Sequence, residues 1–220
     1  MRIIDLTHPI NEGMPTFAAL WHPPVEITIL GRHDVEGRAT RKISFGTHTG
    51  THVDAPLHFI KDGSTIDMIA LETLAGKALV IPLMGKGPGG RVERKDLENY
   101  FNGRTDVKRV ILRFDWSNRF RDGTFYINWP YLSMEAAEFL LEQGVKLIGM
   151  DTPSPDNPSD GPKTGVDSPV HKLLMGQGVI LVEYLNGLEQ IKSLEIEFIA
   201  LPIKITGSDG APARCIAIER

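Results

Sequence analysis

Apolar residues along this chain come mostly in short runs bounded by Gly, Pro, Asp and Asn, a pattern that belongs to strands rather than long helices. Such runs predict strands at Ile3–Thr7, Val25–Leu30, Lys42–Phe45, Ala78–Leu83, Arg109–Phe114, Lys146–Met150, Val179–Val182, Phe198–Ile205 and Cys215–Ile218. Val25-Glu-Ile27-Thr-Ile29 alternates cleanly, which predicts one face on the core and one toward water. Arg109–Phe114 and Lys146–Met150 have unbroken apolar centres and belong deep in a sheet. Helical spacing is confined to Arg94–Phe101, Ser133–Gln143 and a short segment beginning near His171. The second of these starts at Ser133, a good N-cap, and stops at Gly144; Ala136, Ala137, Leu140 and Leu141 would face the sheet. This order predicts an α/β fold, a mixed-sheet sandwich forming a single domain over residues 1–220, with no repeat, linker or low-complexity tract.

Composition narrows the class only a little. At 220 residues, with 41% hydrophobic and 24% charged content, the chain is ordinary for a globular protein. A net charge of −4 argues against nucleic acid or an anionic membrane as partner. The single cysteine, Cys215, excludes an intrachain disulfide, suggests a reducing cytoplasmic setting, and in its apolar surroundings reads as a core thiol. The N-terminus shows neither a signal-peptide pattern nor a membrane span. Gly85-Lys-Gly-Pro-Gly-Gly90 matches a dinucleotide-binding turn, but Pro88 and the excess glycine mark it as a plain loop.

The chemistry is concentrated in His48-Thr-Gly-Thr-His52-Val-Asp54-Ala-Pro-Leu-His58, which holds three of the seven histidines and an aspartate. Imidazole and carboxylate together suit zinc, manganese or iron better than calcium or magnesium. A fully extended strand would put all four on one face, yet ten residues span roughly 33 Å, too long for one ion. Gly50, two threonines and Pro56 disfavour a helix. The expected arrangement is strand Lys42–Phe45 running into a bent, buried loop. Gly50 permits the curl that brings His48 to His52 and Asp54, and His58 lies beside the metal without binding it.

Two further ligand candidates lie downstream. His171 opens the short helix in Asp167-Ser-Pro-Val-His-Lys-Leu-Leu174. Glu183 ends the apolar run Val179–Val182, where a carboxylate is costly to bury unless it is paired or bound to a metal. Phe17, Trp21 and Phe59 are candidate apolar walls for an aromatic or cyclic substrate, and Ser154, after a buried strand, is a candidate polar contact. The isolated His8, His22 and His33 read as ordinary structural histidines.

The stretch from His48 to His58 resembles the HxGTHxDxPxH signature of the cyclase family of metal-dependent hydrolases, which includes bacterial kynurenine formamidases and isatin hydrolases. Asp5-Leu-Thr-His-Pro-Ile10, Gly149-Met-Asp-Thr-Pro-Ser-Pro-Asp156, Pro169-Val-His171 with Glu183-Tyr-Leu-Asn, and Gly207-Ser-Asp-Gly-Ala-Pro-Ala-Arg214 are similar to further segments of that family. The chain departs from it at Phe17-Ala-Ala-Leu-Trp21-His22-Pro-Pro24, where relatives often carry an aromatic-Pro-Gly-Asp segment. The resemblance implies a swivelling β/β/α fold. It also implies one metal held by His48, His52 and Asp54, a second shared by Asp54 with His171 and Glu183, and His58 as general acid/base. The expected cofactor is one or two divalent ions, zinc first and manganese second. The expected reaction is hydrolysis of a non-peptide C–N bond in an aryl formamide such as N-formylkynurenine or a cyclic amide such as isatin. Hydrolysis of a lactone or ester, or metal binding without catalysis, are the alternatives. The expected partners are a small-molecule substrate and further copies of the chain, as a homodimer or homotetramer.

Overall fold

The computed structural model describes residues 1–220. Its strands are β1 (Arg2–Asp5), β2 (Glu26–Gly31), β3 (Thr40–Ser44), β4 (His52–Asp54), β5 (Ala75–Pro82), β6 (Arg91–Val92), β7 (Arg109–Arg113), β8 (Tyr131–Leu132), β9 (Leu147–Met150), β10 (Ile180–Glu183), β11 (Glu195–Pro202) and β12 (Gly210–Glu219). The α-helices are α1 (Leu71–Leu74), α2 (Arg94–Phe101), α3 (Met134–Glu142) and α4 (Pro169–Gly176). Eight strands make the main sheet in the order β1-β12-β11-β5-β7-β9-β10-β4, and a further β12–β4 pairing closes seven of them into a ring with β1 on its outer edge. The run β5-β7-β9-β10 is parallel and the remaining pairings are antiparallel, so the predicted mixed sheet is present but curled into a barrel. Parallel neighbours need long crossovers, and α2, α3 and α4 lie in those connections.

Alternation along each strand divides the interior in two. Ala78, Val80, Ile111, Val182, Ala211, Ala213 and Cys215 belong to one cluster inside the ring, where alanines suit a tightly curved sheet. Leu79, Ile81, Val110, Leu112, Ile148 and Leu181 point outward, against Leu97, Ala136, Leu140 and Leu174 of the helices. Cys215 is fully buried, as a core thiol should be. No helix is long and apolar enough to cross a membrane.

Several expectations need correction. Ser133 does cap α3, its hydroxyl accepting from Ala136 N at 3.1 Å, with Gly144 at φ +75° ending the helix region. The alternation of Val25–Leu30, however, does not bury a full face. β2 pairs only with β3, in a hairpin that stands off the body, and Ile29 (56%), Leu30 (58%) and Ile43 (52%) are exposed. Only Val25 and Ile27 reach the core. β11 begins at Glu195, three residues before the predicted start, because Glu195 and Glu197 face outward while Ile196 and Phe198 are buried. β12 starts at Gly210, inside a Gly/Pro-rich segment that reads as a turn but is held between β11 and β4.

Candidate metal centre

β4 is the short strand that the sequence did not reveal. His52 and Asp54 lie on a ladder strand rather than in a loop, flanked by β10 and β12. Being two apart they share one face, while Val53 points into the ring. Glu183 stands directly across from His52 in the β10 register and so shares that outer face. His48 arrives from the preceding loop, turned by Gly50 at φ +59° as its sequence position suggests. Gly210 is required for close approach: a Cβ there would sit 2.9 Å from both His48 Cε1 and Val53 O.

The fifth side chain comes from the helix layer. Asp156 accepts hydrogen bonds from the backbone N–H groups of Val170 (2.7 Å) and His171 (3.2 Å) at the start of α4. The same carboxylate meets His171 Nδ1, which turns His171 Nε2 toward Glu183 Oε1 (3.2 Å) and Asp54 Oδ2 (3.8 Å). His52 Nδ1 donates to Gly50 O at 2.7 Å, leaving Nε2 near Asp54 Oδ1 at 3.1 Å. Outer hydrogen bonds of this type commonly fix the tautomer of a metal-binding histidine.

The result is three groups with ligand atoms within 4.8 Å of one another: His48/His52/Asp54 and Asp54/His171/Glu183, which adjoin through Asp54, and His48/His58/Asp209, which is less buried. Asp54 Oδ2 and Glu183 Oε1 are sealed from solvent and accept no hydrogen bond. Buried carboxylate oxygens without donors are costly, and a cation between them would satisfy both. The donor set, three imidazoles and two carboxylates, fits a divalent transition metal better than calcium. The charges are strongly coupled. Burial and the neighbouring Asp54 push the Glu183 carboxyl above its ordinary range. Burial also works to raise Asp54, but His48 and His52 overcome it and hold Asp54 well below that range. Burial opposes charge on His48, yet Asp54 and Asp209 raise its pKa to about 10.

His58 falls outside the two groups that share Asp54, in the 3-10 turn Pro56–His58, with its ring centroid 3.8 Å from that of His48. Above the cluster lies a cavity of about 470 Å³, lined among others by Phe17, Trp21, Phe59, Ser154 and Asp209. Phe59 packs on His171 with centroids 4.5 Å apart, and Phe17 meets Trp129 edge-on. Trp21, 65% exposed, stands at the rim. The Ser154 hydroxyl accepts from Asp156 N at 3.0 Å, so it holds the turn as well as lining the cavity. Asp151 turns away, accepting from Phe114 N and Trp116 N; burial raises its pKa to about 7.

Three neighbours were given no role of their own by sequence reasoning. Asp156 and Asp209 lie in the quoted motif segments, which mark polar stretches beside the pocket without saying what either carboxylate touches. His22 lines the cavity and lies 6.0 Å from His48, centroid to centroid, and burial with the nearby histidines lowers its pKa to about 4. Nothing in its local sequence marked it.

Known proteins share this fold. The model of the Cyclase family matches residues 4–157. Kynurenine formamidase of Bacillus mycoides (strain KBAB4) is 30% identical over 214 residues, covering 97% of this chain and 95% of its own. Isatin hydrolase A from Ralstonia solanacearum superposes with a TM-score of 0.88 at 27% identity, covering 98% of this chain and 91% of the other. A predicted metal-dependent hydrolase from Bacillus stearothermophilus superposes with a TM-score of 0.79 at 27% identity, over 100% and 98% of the two chains. With a family model spanning well over half its length and a relative matched nearly end to end, this chain belongs to the Cyclase family of metal-dependent hydrolases.

Proposed function

We propose that this protein hydrolyses a non-peptide carbon–nitrogen bond, in an aryl formamide or a cyclic amide, with a divalent metal at the strand-borne cluster. His48, His52 and Asp54 would hold one ion, and Asp54, His171 and Glu183 a second. Zinc is the first candidate for its identity and manganese the alternative. The observation that carries this reading is the pair of sealed ligand groups sharing Asp54, at the floor of a cavity with His58 alongside. The names of the relatives, a formamidase and a cyclic-amide hydrolase, support the substrate class.

A divalent metal held there supplies water with a pKa lowered from 15.7 toward ~7 and polarisation for a carbonyl oxygen. The protein's own groups do the rest. His58 takes a proton from the attacking water as its oxygen bonds to the carbonyl carbon. When the C–N bond breaks, the same imidazolium returns that proton to the departing nitrogen, leaving an amine and a carboxylic acid, whose remaining proton passes to solvent to give the carboxylate. Phe59, Phe17 and Trp21 offer apolar surface to an aromatic ring, and their packing excludes water from one side of it. An ester or lactone would follow the same course with a better leaving group, so it would depend less on His58.

The test is metal content per chain in wild type and Glu183→Ala, together with turnover of an N-formyl arylamine before and after chelation. Two ions falling to one, with turnover lost on chelation, would support the reading. Turnover untouched by removal of all metal would sink it. An assembly of two or four copies is part of the proposal, supported by the exposed apolar side chains of the β2–β3 hairpin, and light scattering would test it.

A further inference from the structure

One carboxylate outside the two groups that share Asp54 touches two of the cluster's histidines. Asp209 Oδ2 lies 2.8 Å from His48 Nε2 and 3.3 Å from His58 Nδ1. Those rings lie face to face, tilted by 33°, so a single oxygen reaches both along one edge. Its placement is not left to a free loop. Asp209 O accepts from Ala55 N at 2.9 Å, and the next residue, Gly210, pairs with Asp54 at the start of β12. The backbone that carries the carboxylate is thus pinned to the strand that carries Asp54.

A carboxylate that accepts one ring N–H fixes which nitrogen of a histidine keeps its lone pair. Bonded through Nδ1–H to Asp209, His58 has Nε2 as its unprotonated nitrogen, the one able to take a proton from water. His48 meets a carboxylate at each nitrogen, Asp209 Oδ2 at Nε2 and Asp54 Oδ1 at Nδ1 (2.6 Å). With Nε2–H given to Asp209, Nδ1 is the nitrogen that would lose its proton and turn to a metal held beside Asp54. We propose that Asp209 is a positioning residue that sets the tautomer and ring orientation of His58 and His48 together, tying the acid–base nitrogen to the ligand nitrogen through one oxygen. This rests on the reading of His58 as the acid–base group. A merely structural Asp209, holding the β11–β12 loop down, would affect folding and leave the imidazole tautomers alone.

The deciding comparison uses Asp209→Ala, Asp209→Asn and His58→Ala beside wild type. Two-bond 1H–15N spectra of 15N-histidine-labelled protein, metal-free and zinc-loaded, report each ring's tautomer, and the signals missing in His58→Ala identify that ring. In Asp209→Ala, His58 is expected to leave the Nδ1–H form, and kcat at saturating zinc is expected to fall about 10- to 100-fold with KM within about threefold. Asp209→Asn, which keeps one acceptor at the same reach, is expected to restore the tautomer and part of the rate. An unchanged His58 tautomer in folded Asp209→Ala would overturn the proposal, as would a kcat within twofold of wild type. Full turnover in His58→Ala would instead sink the acid–base reading, while the spectra would still decide whether Asp209 sets the tautomers.

Discussion

The floor of the cavity and its outer rim are held by the chain in different ways. On the floor, His52, Asp54 and Glu183 sit on strands paired on both sides, and His171 is locked by Asp156 at the start of α4. At the rim, Phe17, Trp21 and His22 ride on the later part of the long connection from β1 to β2, where the backbone hydrogen bonds are local. Its ties to the body come earlier, at Leu6, Thr7, His8 and Pro15. His8 N donates to Thr51 Oγ1 at 2.9 Å, and Tyr126 OH donates to Pro15 O at 3.2 Å. The difference teaches a division of labour. Ligand geometry would tolerate little error, and three of the five candidate ligands stand on ladders while carboxylates hold the other two, His48 and His171. Substrate choice can vary, and on the proposed reading it would fall to loops.

Substitutions can break that division, the floor being where they should cost most. His58→Ala is expected to keep its metal and lose about 100- to 10,000-fold in kcat on an amide, with a smaller loss on an activated ester. Metal analysis beside steady-state rates on both substrates would check this; equal losses would mean that His58 does not protonate the leaving group.

The tie between rim and floor should appear in acid. His8 is buried and stacked on Phe120, with ring centroids 3.9 Å apart, and burial, then Arg121, lowers its pKa to about 4. Its folded pKa is below the unfolded value of 6.5, so the unfolded chain binds the extra proton first. The contribution is therefore intact above pH about 6.5 and is lost as pH falls through about 4, on the order of 3 kcal/mol in all. Urea unfolding across that range should show the slope in wild type and a flatter one in His8→Phe. Equal slopes would remove His8 from the acid response.

Gly210→Ala presses a methyl group onto His48 and the Val53 carbonyl, and should cost about 1–3 kcal/mol together with weaker metal retention. Calorimetry and metal titration would register both; a variant as stable as wild type would show that the floor can yield. At the rim, Trp21→Ala should raise KM by up to about tenfold with kcat nearly unchanged, the mark of lost uniform binding. A large fall in kcat would place Trp21 in the chemistry and blur the division. Least costly, Ile43→Ser on the exposed hairpin should change the stability of an isolated chain by within about 0.5 kcal/mol, as urea unfolding would show.

Local pattern alone determined much of this molecule. The apolar runs located most ladder strands, Ser133 and Gly144 bounded α3, and the density of histidine between residues 48 and 58 marked the chemistry before any fold was known. These are signals carried by neighbours in the chain, through period, caps and turn residues. Tertiary structure alone decided that the sheet closes, because closure depends on three-residue β4 fitting between β10 and β12, and its pattern is too short to read. It also decided that Glu183 faces His52, that Asp156 aims His171, and that Asp209 joins His48 to His58 across 161 and 151 residues of sequence. Such contacts follow from strand register and packing, and no local run of residues encodes them.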